Sequence, residues 1–288
     1  MKSHSNFNRN QFKDYQSIII RVITLWIITF YMIRLWEGAL PNTFYPLHLA
    51  KPQYDLSYWF IRWTQLDLLI LKNAMSANLF TVSLFASLVL LIIWPKKWGL
   101  GVLAWLHLFL LYALTNIYIG HSQHYLAASV TILLVACLPI RSWFSYAWEG
   151  MRFFTCWLYG SAFLWKLWFG AFTDWGTGVE TVKINMAAWM YHHPKHFFTD
   201  ILAWGISHPF LFNAGHKAII IAEGFFIIGF FTKKYDLYLM AFALFIFIST
   251  MLFSDVFFVE QLIILFPLLP LTFWKYLNGQ KQMQHHMN

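Results

Sequence analysis

The sequence predicts an all-α fold: a polytopic membrane helical bundle of about eight transmembrane helices, with amphipathic helices at the extracytoplasmic interface. Three observations lead there. Charged residues make up 11% of the 288 residues and hydrophobic ones 59%, whereas soluble domains carry about 25% charged residues. Apolar runs of about 20 residues, the length a bilayer crossing needs, recur along the chain. Sixteen Trp, fourteen Tyr and thirty Phe suit helices with aromatic belts at both interfaces. The net charge of +8 comes mostly from short loops between apolar runs, where Lys and Arg set topology. The expected partner is therefore the lipid bilayer and not nucleic acid.

Residues 1–16 read as a polar cytoplasmic tail, 17–275 as one transmembrane domain and 276–288 as a second cytoplasmic tail. The first apolar run is long and lacks a small-residue cleavage site, so it is expected to remain as an uncleaved span. The candidate spans are 17–36, 78–94, 100–119, 124–140, 151–172, 216–232, 235–253 and 256–274. Trp94-Pro95-Lys96-Lys97-Trp98-Gly99 separates the second from the third, Pro139-Ile140-Arg141-Ser142 ends the fourth, and Thr232-Lys233-Lys234 divides the sixth from the seventh. The boundary near Ser254-Asp255 is the least marked. Lys96, Lys97, Arg141, Arg152, Lys233 and Lys234 then fall on one side with both tails, while the loops after the third and seventh spans hold no Lys or Arg. The positive-inside rule places both termini in the cytoplasm, as expected for a multi-pass protein of the bacterial inner membrane. Segments 37–77 and 173–215 face outward. Tyr54–Leu69 and Thr181–Met190 within them have helix-like apolar spacing, suited either to interfacial helices capping a cavity or to anchors for the bundle. Cys137 and Cys156 both lie in apolar runs, which implies buried thiols and no disulfide framework. Matched short spans interrupted by Gly or Pro, the pointer to inverted-repeat transporters, are not found.

Lys166 stands in an apolar helical run, where inserting an ammonium costs about 2.5–3.5 kcal/mol. It lies about 20 Å from the cytoplasmic end of its span at 1.5 Å per residue. Desolvation lowers a lysine pKa, so Lys166 could serve as a base. It could equally snorkel to the outer headgroups or pair with an acid. Glu223, near the middle of the sixth span, is the natural acid for such a pair. Arg21 and Arg34 lie near the ends of the first span and are expected to snorkel, and the sequence alone does not suggest which residue Glu260 meets. His121 and His124, three residues apart at the start of the fourth span, share a helical face. They read either as ligand hydrogen-bonding groups or as interfacial capping residues. His192, His193 and His196 flank Pro194 with no nearby acid; a polar outer loop is the preferred reading, and no metal site is assigned.

The run Tyr159-Gly-Ser-Ala-Phe-Leu-Trp-Lys166-Leu, followed by Asp174-Trp175-Gly-Thr-Gly178, resembles the lysine motif of vitamin K-dependent gamma-carboxylases and of their bacterial relatives, the HTTM-type membrane domains. Gln123-His-Tyr-Leu126 looks like the family's histidine element ahead of an apolar helix, and Phe253-Ser-Asp-Val-Phe-Phe258 is similar to the opening of a late helix. The likeness extends over residues 17–275. It implies Lys166 as catalytic base toward a quinol of the vitamin K type. His121, His124, Trp175 and Glu223 would then line a substrate site open to the extracytoplasmic side. The chain departs from the family pattern at Ile246, where a histidine is expected, at Val256 in place of glycine, and at Gln123 in place of asparagine. The large luminal region that binds peptides in the animal enzymes has no counterpart in this sequence. Two readings follow: a carboxylase- or epoxidase-like membrane enzyme acting on a quinol, or a non-catalytic membrane subunit assisting maturation or export of an extracytoplasmic peptide or protein.

Overall fold

The computed structural model describes residues 12, 15–44, 54–118, 124–139, 143–254 and 259–285. Its α-helices are, in chain order, α1 (Gln16–Trp36), α2 (Leu56–Thr64), α3 (Leu66–Ile70), α4 (Ala74–Ile93), α5 (Trp98–Tyr118), α6 (His124–Leu133), α7 (Phe144–Trp168), α8 (Thr177–Asn185), α9 (Ala187–His192), α10 (Phe197–Ser207), α11 (Pro209–Gly224), α12 (Asp236–Ser254) and α13 (Leu271–His285). The chain divides into two compact units, Met1–Gly150 with Leu271–Asn288, and Met151–Pro270.

Among the described residues, five segments are long and apolar enough to cross a membrane: Gln16–Thr43, Ala74–Ile93, Trp98–Tyr118, Pro209–Phe230 and Asp236–Phe253. They coincide with the first, second, third, sixth and seventh expected spans. The fifth is matched by α7, which has 25 residues but carries Glu149, Arg152 and Lys166. The fourth is shorter than its apolar run suggests: the ten residues of α6 and a four-residue 3-10 turn, Leu134–Cys137. The eighth is not one α-helix. Val259–Leu268 is a 3-10 helix containing Pro267, and α13 starts only after Pro270. A proline lacks the N–H that an α-helical ladder needs and crowds the preceding turn, so hydrophobic length alone overestimates helix length here.

In the first unit α1 packs against α4, α4 against α5, and α5 against α6 and α2. The expected snorkelling of Arg21 gives way to a direct bond: its Nε donates to the carbonyl of Ile92 at 3.1 Å, in the last turn of α4, where a cation meets the negative end of the helix dipole. Arg34 reaches Glu37 at 2.9 Å on the exposed side.

The two short helices of segment 37–77 are anchors. Asp55 is the N-cap of α2 and accepts from the backbone N–H groups of Ser57 (2.9 Å) and Tyr58 (3.0 Å). The same carboxylate accepts from Tyr112 Oη (2.8 Å) and Asn116 Nδ2 (3.1 Å) of α5. Asp67 of α3 accepts from Tyr118 Oη at 2.9 Å. Ile61, Ala113 and Ile117 form an apolar cluster beneath α2, while Trp59 and Trp63 remain exposed. Apolar spacing thus shapes α2, and one carboxylate fixes α2 and another fixes α3 to the end of α5.

In the second unit α8 packs on α11 and α12, α11 on α12, and α10 on α8 and α11. Arg152, read from sequence as a loop cation, lies inside α7 and is buried. Its guanidinium holds both oxygens of Asp236 at 2.6 Å and the carbonyls of Gly229 and Thr232 at 2.9 Å. Thr155 donates to Ile264 O at 2.6 Å, satisfying one carbonyl of the 3-10 segment. Cys137 and Cys156 are free thiols, the latter buried.

The Asp55 anchor has a pH signature. Burial tends to raise its carboxyl, but hydrogen bonds from Ser57, Tyr58 and Tyr112 outweigh burial and hold it below its ordinary value of 3.8. A group depressed on folding contributes stability that is present above its unfolded value and lost as pH falls through the folded one. The melting-temperature difference between the wild type and Asp55→Asn is therefore expected to be constant through the neutral range and to shrink below pH 3.8. A difference independent of pH into strong acid would refute this anchor.

Candidate functional site: a buried ion pair and an adjoining polar stripe

The second unit brings Lys166 and Glu223 together. Lys166 lies in the last turn of α7, where the helix dipole favours a cation. Glu223 lies one residue from the end of α11. The Lys166 Nζ to Glu223 Oε1 distance is 2.5 Å. The lysine side chain is 32% exposed and the glutamate side chain 7%, so the carboxylate is the enclosed member. A close approach of α7 and α11 makes the contact possible: a Cβ on Gly224 would stand 3.0–3.1 Å from the ring of Phe163. Tyr159 stacks on Phe226 one turn further along, with ring centroids 4.3 Å apart. Of the three fates open to Lys166, the geometry is that of the pair. Glu223 Oε2 is buried and has no hydrogen-bond partner among the described residues.

Glu223 continues a polar stripe along α11. Asn213, His216 and Glu223 recur at helical spacing, with the apolar Ile220 between the last two, and His216 and Glu223 are seven residues apart, two turns along one face. Asn213 Oδ1 accepts from Val179 N at 2.8 Å, satisfying one of the free N–H groups in the first turn of α8. Lys217, beside His216, is buried and donates to the carbonyls of Ala171 and Asp174 in the turn that follows α7. That turn has Gly170 at φ +72°, a conformation glycine adopts without strain. Asp174 closes it, accepting from Gly176 N at 2.9 Å and Thr177 Oγ1 at 2.8 Å. These two bonds hold the Asp174 carboxyl below its ordinary range. His216 Nε2 is buried and, among the described residues, unpartnered.

The other predicted site residues are not gathered here. Trp175 is half-exposed and lies against Phe210, with centroids 5.7 Å apart. His121 and Gln123 lie outside the described residues, as does Val256. His124 opens α6 in the first unit, and its side chain lies outside the described residues. Ile246, where the family pattern has histidine, is buried in α12. In the outer histidine segment, His193 stacks on Trp189 at 4.1 Å, and His196 Nδ1 accepts from Phe198 N at 3.2 Å to cap α10.

His216 and Lys217 are the residues sequence reasoning missed. The sixth span was expected to begin at 216, which put both at an interface. In the structure α11 begins at Pro209, so both lie in its third turn. The rule that flagged Lys166 would have flagged Lys217 had the helix been started at Pro209, a favoured first position.

Compared with protein-family models, curated proteins and solved structures, the chain matches none.

The contact between α8 and α11 depends on Gly178. A Cβ there would stand 2.4 Å from Phe212 O and 2.8 Å from Asn213 Cα, backbone that has no room to yield. Gly178→Ala is expected to destabilise the protein by about 1–3 kcal/mol. Gly176→Ala, whose Cβ meets only Asp174 Oδ1 at 3.5 Å, should cost less. Thermal unfolding in detergent checks this; equal melting of Gly178→Ala and wild type would contradict the packing.

Proposed function

We propose that the chain is a multi-pass protein of the bacterial cytoplasmic membrane with about eight membrane segments and both termini cytoplasmic. We infer that it works as a non-catalytic membrane subunit, a partner in the maturation or export of an extracytoplasmic peptide or protein. The observation that carries this reading is the 2.5 Å bond between Lys166 and Glu223. An amine engaged by a carboxylate is not free to face a substrate as a base. In this reading the pair binds α7 to α11, and the resemblance to gamma-carboxylases is one of scaffold.

Several features support the membrane assignment beyond the five long apolar helices. The 25 residues of α7 extend about 38 Å, enough to cross the hydrocarbon core. Its internal cations are paired, Arg152 with Asp236 and Lys166 with Glu223, as charges at membrane depth must be. Trp165, Trp168 and Phe169, around its outer end, are exposed, an apolar surface suited to lipid or to a partner helix.

A second reading, a carboxylase- or epoxidase-like enzyme acting on a quinol, is favoured by one observation. Glu223 Oε2 is buried without a hydrogen-bond partner among the described residues. It could accept from a substrate hydroxyl, and the pair would then handle the proton jointly.

Replacing the pair by apolar residues separates the two. The subunit reading predicts that a tagged Lys166→Met/Glu223→Leu variant assembles in native membranes, cross-links to the same extracytoplasmic partner as wild type, and supports secretion of the mature product. Loss of a quinol-dependent activity, with the partner complex intact, would favour the enzyme and overturn the subunit.

A further inference from the structure

Helices α8, α11 and α12 enclose a cavity of about 300 Å³ that the ion pair does not use. Its wall is apolar, with Val182, Phe212, Ile219, Phe245 and Phe253 among the lining residues. His216 also lines it, and the buried Nε2 of that side chain has no hydrogen-bond partner among the described residues. Leaving such an atom unmet costs about 1–3 kcal/mol. The cavity therefore offers dispersion and hydrophobic contact along most of its wall, with the unmet His216 Nε2 and the hydroxyls of Thr181 and Ser249 as its polar groups. Leu211 and Phe245, both lining residues, are 47% and 45% exposed, so its mouth opens through apolar side chains. That favours entry of an apolar chain from a surrounding bilayer.

We propose that this cavity is a binding site for a single-chain neutral lipid, whose hydroxyl or carbonyl oxygen bonds His216 and whose alkyl chain fills the space between α8, α11 and α12. A cavity of about 150 Å³ holds a six-carbon ring; by that scale this one accommodates a chain of about twelve carbons. The oxygen is uncharged, because the adjacent ammonium of Lys217 is committed to the carbonyls of Ala171 and Asp174 and Lys166 to Glu223. Neither cation is left to neutralise an anionic head. The site goes beyond the proposed membrane role and rests on His216 and the cavity. It stands or falls independently of whether the ion pair is catalytic.

Gly215 supplies the means to test it. It lines the cavity, and a Cβ built on it meets nothing within 4 Å, so a side chain can start there freely and Gly215→Leu places three further carbons toward the space. The full chain is reconstituted in phosphatidylcholine nanodiscs with a dodecanol carrying a terminal diazirine. After photolysis, labelled peptides are mapped by mass spectrometry, and melting temperatures confirm that each variant is folded. Labelling should fall on α8, α11 and α12 and drop at least tenfold in Gly215→Leu. Unlabelled 1-dodecanol should compete about fivefold better than dodecane, the factor worth one hydrogen bond of about 1 kcal/mol. His216→Phe should abolish that preference while leaving competition by dodecane unchanged. Undiminished labelling in Gly215→Leu, or equal competition by alcohol and alkane in wild type, would overturn the proposal.

Discussion

Lys166 and Glu223 meet at 2.5 Å in largely apolar, aromatic surroundings that include Phe163, Tyr159 and Phe226. An isolated ammonium or carboxylate in such surroundings is costly, and mutual contact is what makes both tolerable. The contact requires α7 and α11 to approach closely, which Gly224 allows by leaving room for Phe163. From that approach follow the stacking of Tyr159 on Phe226 and the position of the turn after α7, whose carbonyls Lys217 then satisfies. Arg152 repeats the solution at the other end of the unit, with a carboxylate and two carbonyls as partners. Each cation is therefore an organising contact in a unit where apolar packing alone would not define helix register.

The first unit meets a related constraint with carboxylates. Asp55 and Asp67 sit in short helices that bury little apolar surface of their own. Tyr112, Asn116 and Tyr118, on the last turns of α5, supply the donors that hold them. Such helices fold only against a partner, because an isolated helix of nine residues is not stable in water. Asp55 joins the two levels, capping the helix it begins and fastening that helix to α5.

Much of the fold was legible from hydrophobic run length. The first, second, third, sixth and seventh spans appear close to where the apolar density placed them, because a bilayer-length helix leaves a strong one-dimensional signal. Run length failed where proline intervened: Pro267 and Pro270 turn the last run into a 3-10 segment and a separate helix. It also failed at helix starts. Placing the sixth span at 216 hid seven residues of α11, and with them the burial of Lys217 and of the His216 Nε2 atom. The Lys166–Glu223 partnership was readable as one of several options, since intramembrane charges seek opposites. Which option prevailed depended on which faces of α7 and α11 meet, and that is set by small residues and ring packing far apart in sequence. Arg152 was misread as a loop cation for the same reason: only the fold brings Asp236 and the carbonyls of Gly229 and Thr232 around it.

A double-mutant cycle on Lys166 and Glu223, read by thermal unfolding of Lys166→Met, Glu223→Leu and the combined variant, tests the pairing most directly. Each single change strands one charge, whereas the double change removes both and restores apolar continuity. The account predicts a coupling free energy above about 1 kcal/mol, with the double variant more stable than the sum of the single effects allows. Additivity within about 0.5 kcal/mol would show that the amine and the carboxylate act independently, and the central interaction of the second unit would have to be sought elsewhere.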